Sequence, residues 1–131
     1  MSRYRVLVDS SVWIDFFNKG GSEELDFLIQ ENFACINELI FTEIAPVLVK
    51  SNSQIALEGL QAIQKIPLNI DWEIIRQYQV LNLQNGINKV GIPDLIILQQ
   101  AIDEKITLFS PDKHFKLIQQ YLHFELFNSI T

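Results

Sequence analysis

The stretch Arg5-Val6-Leu7-Val8-Asp9-Ser10-Ser11-Val12-Trp13-Ile14-Asp15-Phe16-Phe17 decides how the chain is read. Arg5 to Asp9 has the character of a short buried strand, apolar and β-branched at Val6 and Val8. Ser10 or Ser11 offers an N-cap for the helix that follows, Val12 to Phe17. A buried strand running straight into a helix, with an acid at the junction, is the first unit of an α/β layout.

The same alternation continues. Gly20-Gly21 forms a loop, and Ser22, Glu23 and Glu24 open a helix reaching about Glu31. Phe33 to Ile36 reads as a strand, and Asn37 as the N-cap of a helix carrying Leu39 to Lys50. Pro46 is expected to kink or break that helix. After the turn Ser51-Asn52-Ser53, the pattern predicts a helix over Ile55–Lys65 and an edge strand over Ile66–Ile70. Asp71 caps a helix to about Asn85, which Gly86 ends. Pro93 suits the first turn of a helix reaching about Glu104. A strand at Ile106–Phe109, a helix at Lys113–Tyr121 and a short strand at Phe124–Phe127 complete the chain. The layout predicts a central, mostly parallel sheet of about five short strands with helices on both faces. With no repeat, low-complexity run or linker, residues 1–131 read as a single domain, large enough for a real core.

Bulk chemistry narrows the function. The hydrophobic content of 48% suits a folded protein, and the net charge of −6 argues against a plain nucleic-acid coat. It leaves room for a nuclease whose metal ions meet the phosphate, and an acidic surface also suits a basic protein partner. No uncharged apolar stretch approaches the roughly 18 residues that span a bilayer. Met1-Ser2-Arg3-Tyr4-Arg5 is basic, but the apolar run behind it is too short for a signal sequence, so the chain is expected to be cytoplasmic. Cys35, the only cysteine, rules out an internal disulfide and a thiolate zinc site, and reads as a core residue. Gly86 and Gly91 are isolated, so no glycine-rich phosphate loop exists, and there is no serine nucleophile elbow.

Four carboxylates stand where apolar residues are expected. Asp9 ends the first strand, Glu43 lies among Leu39, Ile40, Val47 and Leu48, Asp94 opens the helix Leu95-Ile96-Ile97-Leu98, and Asp112 follows Ile106–Phe109. Each has an ordinary explanation: an Asx turn or N-cap for Asp9, a buried ion pair for Glu43, helix-dipole electrostatics for Asp94, a local turn for Asp112. Together they make a different case. Buried carboxylates are costly unless paired or bound to a cation, and the chain has only ten Lys and Arg. In open α/β sheets the working site lies beyond the carboxyl ends of the strands, where Asp9 and Asp112 fall. A divalent metal site is the leading expectation. Asp15 reads as solvated or locally paired, and His114 and His123, lacking a paired-ligand spacing, as surface or packing residues. Lys89, Lys113 and Lys116 are either solvated or placed to touch a phosphate backbone.

The four segments together resemble the PIN domain, and within it the small VapC-type toxins. Val8–Phe17 resembles the family opening, Asn37–Ile44 the helix with the second acid, Ile92–Ile97 the third segment, and Leu108–Phe115 the fourth. The likeness in order, spacing and length spans nearly the whole chain. It implies a PIN-like three-layer sandwich and a metal-dependent endoribonuclease, the toxin of a VapBC-type toxin–antitoxin pair. A homodimer and a VapB-type antitoxin that holds the enzyme inactive are implied with it. Asp9, Glu43, Asp94 and Asp112 would form the acidic quartet around Mg²⁺ or Mn²⁺, hard ions that prefer oxygen ligands, with Ser110 a supporting hydroxyl. Asp9 and Asp94 would be central ligands; Glu43 and Asp112 would bind directly, through water, or orient the nucleophile.

Two rival classes are weighed against this. A phosphoacceptor receiver domain wants adjacent acids after its first strand, and here Asp9 is followed by Ser10-Ser11. A catalytically silent PIN-fold scaffold, acting as a protein-interaction module, would bind metal without cleaving RNA.

Overall fold

The computed structural model describes residues 4–127, so Met1, Ser2 and Arg3 of the basic opening lie outside the described residues. Strand β1 is Val6–Val8, followed by α1 (Ser10–Lys19), α2 (Glu23–Gln30), β2 (Ala34–Ile36), α3 (Glu38–Lys50) and α4 (Gln54–Gln61). Then come β3 (Gln64–Lys65), α5 (Trp72–Gln84), α6 (Ile92–Asp103), β4 (Thr107–Phe109) and α7 (Lys113–Ile118). The sheet has the order β3-β2-β1-β4, every pair parallel. Val6, Leu7 and Val8 face Thr107, Leu108 and Phe109, while Val6 and Leu7 face Ala34 and Cys35.

Every residue of β1 and β2 is buried. Successive side chains of a strand point to opposite faces, so both faces of the sheet are covered, as a parallel sheet built on helical crossovers requires. Helices α1, α3 and α4 pack in series, and α5 packs on α6. Helix α6 is buried continuously from Leu95 to Ala101, which explains why its sequence is apolar without a polar stripe.

Several caps fall where the sequence puts them. Asn37 Oδ1 accepts from the Ile40 N–H at 2.8 Å, and Asp71 Oδ1 accepts from Glu73 and Ile74 N–H at 3.1 and 3.2 Å. Others move. Asp9, rather than Ser10 or Ser11, is the N-cap of α1. The helix expected over Ile55–Lys65 ends at Gln61, and the following strand is Gln64–Lys65 rather than Ile66–Ile70. Ile66 still donates its N–H to Ile36 O at 2.8 Å, but Pro67 has no N–H to carry the ladder on. Phe124–Phe127 makes a single parallel bridge, Leu108 to Leu126, so the described sheet has four strands instead of about five. Helix α3 runs without a break through Pro46, which stands exposed.

Candidate active site

The site starts from the pairing of β1 with β4. Asp9 follows β1 directly, and its backbone N–H donates to Phe109 O at 2.9 Å, which sets the turn after β4 beside it. Asp9 is 7% exposed, and its carboxylate collects donors on both oxygens. Oδ1 accepts from the Ser10 N–H at 2.8 Å; Oδ2 accepts from Ser110 Oγ at 3.0 Å and Ser11 Oγ at 3.4 Å. Burial raises the Asp9 pKa, the Asp112 charge adds to the rise, and the Ser110, Ser10 and Ser11 hydrogen bonds oppose it.

Ser110 also ties down the fourth acid. Its Oγ accepts from the Asp112 N–H at 3.2 Å while donating to Asp9. Asp112 caps α7, its Oδ1 accepting from the His114 N–H at 2.9 Å and lying 2.8 Å from His114 Nδ1. The sequence pattern reads His114 as a surface or packing residue; in the structure its ring sits half-buried against the quartet. The available signal was its position two residues after an acid that caps a helix.

Asp94, in the first turn of α6, senses the whole group. Its pKa is raised to about 6, first by burial, then by the charges of Asp9, Asp112 and Glu43, with His114 opposing. The four acids therefore share one electrostatic field, although they come from four separate segments. Glu43 differs from expectation. It is exposed as a residue, and the buried row of α3 is Ile40, Ile44 and Leu48, with Val47 turned outward. Partial burial still raises the Glu43 pKa, Asp9 raises it further, and a hydrogen bond with the Ser10 side chain lowers it.

Two buried amides, Asn37 of the α3 cap and Gln100, hold this framework. Asn37 is fully buried; its Nδ2 donates to Gln100 Oε1 at 2.7 Å, and Gln100 Nε2 donates to Pro67 O at 3.1 Å. This links the start of the Glu43 helix to the Asp94 helix and to the exit of β3. Nothing local in sequence marks Gln100 as inward, apart from its place in a helix buried on all sides.

The donor set suits a hard divalent ion. Among the described residues, no Lys or Arg forms an ion pair with Asp9, Glu43, Asp94 or Asp112. No three His, Cys, Asp or Glu side chains among them stand close enough to hold one ion as placed. Other expectations resolve simply. Asp15 pairs with Lys19 at 3.2 Å on the surface, and burial pushes the Cys35 thiol up to about 12, as suits an inert core cysteine.

Comparison with known proteins gives the fold its context. VapBC2 from Rickettsia felis, bound to a DNA fragment from its promoter, superposes with a TM-score of 0.75 at 19% identity, covering 94% of this chain and 97% of that one. FitAcB from Neisseria gonorrhoeae gives 0.62 at 18% identity, covering 94% and 96%. DNA-bound VapBC from Salmonella typhimurium gives 0.63 at 13% identity, covering 87% and 92%. At these identities the likeness is one of fold. A component of glutamyl-tRNA(Gln) amidotransferase from Saccharolobus islandicus is 25% identical over 71 residues, 54% of this chain. That match spans only 11% of the archaeal protein's length. No helix among the described residues is long and apolar enough to cross a membrane. The profile of the PIN domain matches residues 6–120, and the chain belongs to the PIN domain family.

Proposed function

We propose that this protein is a metal-dependent endoribonuclease that hydrolyses RNA phosphodiester bonds, acting as the toxin of a VapBC-type pair in the cytoplasm. The observation that carries the reading is the gathering of Asp9, Glu43, Asp94 and Asp112, whose charges add to burial in raising the Asp94 pKa to about 6. A carboxyl perturbed by burial together with specific charge partners, beside the carboxyl ends of a parallel sheet, is a candidate for a functional site. Asp9 and Asp94 would be the principal ligands of Mg²⁺ or Mn²⁺, with Glu43 and Asp112 completing the set. When bound, such an ion lowers the pKa of a coordinated water and offsets charge building on the phosphate.

The chain's own contribution is orientation. The Ser10 backbone N–H and the Ser11 and Ser110 hydroxyls point donors at Asp9, which fixes its oxygens and favours the ionised form that a metal needs. His114 is held on Asp112 by its Nδ1, which leaves Nε2 without a hydrogen-bond partner among the described residues and open to substrate or solvent. A VapB-type antitoxin belongs to the same proposal, supported by the VapBC complexes among the proteins of like fold, and a homodimer is proposed with it.

A second reading, a catalytically silent PIN-fold scaffold, draws on the absence of three closely placed ligands among the described residues. One experiment separates the two. The purified protein is incubated with single-stranded RNA in Mg²⁺, Mn²⁺ or chelator, alongside Asp94→Asn. Metal-dependent cleavage that Asp94→Asn loses supports the nuclease. Calorimetric metal binding with no cleavage in either protein supports the scaffold.

A further inference from the structure

A groove of about 330 Å³ on the α7 side is lined by Asp112 of the quartet and by Ser110, the hydroxyl that donates to Asp9. Lys113, Lys116, Leu126 and Phe127 line it as well. Sites that hold small organic ligands start at roughly 300 Å³, so the space matches one nucleotide. The lysines lie three apart on α7, hence on neighbouring positions of one helix face. Both are exposed, and among the described residues neither forms an ion pair. Two unpaired like charges side by side cost a little locally, and an anion bridging them removes that cost. In a chain with net charge −6, this is positive charge set directly beside the acids.

We propose that this groove seats the nucleotide next to the scissile phosphate, with Lys113 and Lys116 on the RNA backbone and Leu126 and Phe127 against base or ribose. The proposal rests on the ribonuclease reading for its substrate class. Physically it answers how an acidic protein holds a polyanion: the lysines attract the flanking phosphate while the carboxylates are left to the metal. Phe127 is braced for this by Phe109, whose ring centroid lies 4.7 Å away. The occupant is single-stranded RNA, because the wall is apolar enough for an unstacked base and basic enough for one or two phosphates.

The test uses a short fluorescein-labelled single-stranded RNA and anisotropy over a salt series. Asp94→Asn is the background, so that RNA is not consumed. Each phosphate contact contributes a slope of about −0.7 in log affinity against log salt for a single strand. Lys113→Gln with Lys116→Gln should therefore reduce the slope by about 1.4 and weaken binding, while Lys50→Gln, at the far end of α3, should leave it unchanged. With Asp94 intact, the double variant should raise KM several-fold and leave kcat nearly unaltered. An unaltered slope and KM in a protein that cleaves RNA overturns the seat and leaves the nuclease standing; a protein partner covering the groove would give this result. A reduced slope without cleavage in any metal keeps the seat and overturns the nuclease. If the Asp94→Asn background binds no RNA, and the protein with Asp94 intact neither binds nor cleaves it, both are overturned.

Discussion

Ser110 Oγ donates to Asp9 Oδ2 at 3.0 Å, joining residues 101 positions apart. The same hydroxyl accepts from the Asp112 N–H, so one side chain fixes the relation between the first and fourth acids. Ser110→Ala should remove the strongest opposition to the rise of the Asp9 pKa. Mn²⁺ affinity by calorimetry should drop several-fold and the fold should lose about 1 kcal/mol in denaturant titration. Ser110→Thr should retain most of both, and a Ser110→Ala protein with unaltered Mn²⁺ affinity would refute the link.

Asp94 supplies a pH signature. Its folded pKa, about 6, lies above the ordinary 3.8, so between these values the folded state holds the proton that the unfolded chain has released. Stability should then decline as pH rises from about 4 through 6, with the full penalty above 6. Asp94→Asn should stabilise the metal-free protein at neutral pH by about 1 kcal/mol, allowing for the half-exposed carboxyl, and should do nothing near pH 3. Urea titrations of both proteins at neutral and acid pH check the sign.

Metal should reverse that penalty. An ion that binds only the folded state adds stability as its concentration exceeds Kd, about 2.7 kcal/mol at a hundredfold excess. Thermal scans should give a higher Tm in millimolar Mn²⁺ or Mg²⁺ than in chelator, with the gain much reduced in Asp9→Asn. Identical melting in metal and chelator would count against a shared site.

The Asn37–Gln100 pair should behave as a buried strut. Gln100→Leu leaves the Asn37 amide and the Pro67 carbonyl without this partner, at a cost of about 1–3 kcal/mol. Because the strut connects α3 to α6, Mn²⁺ affinity should fall with it. Loss of stability with full metal affinity would confine the pair to a packing role.

Expression of the chain by itself should arrest growth if the toxin reading holds, and Asp9→Asn should be harmless. Co-expression of an antitoxin with a basic tail, whose Arg can offer its guanidinium fork to the acids, should restore growth and give a co-purifying complex. Harmlessness of both forms, with no complex, would favour the scaffold.

What the sequence by itself determined was local or periodic. Asn37 and Asp71 as caps, Pro93 in a first turn, the buried strand before Asp9 and the order of strands and helices depend on neighbours within a few residues. The same short-range chemistry singled out the four acids. It failed where two local signals competed: the apolar ring of α3 allows two buried faces, and packing of α3 on α1 and α4 selected Ile40, Ile44 and Leu48, which left Glu43 at the rim. Only the tertiary structure decided that β1 lies beside β4, and with it the Ser110–Asp9 bond, the approach of His114 and the common field on Asp94. Those depend on which distant segments the sheet order brings together. That order is set by burying both faces of the sheet at once, a property of the whole chain that no single segment carries.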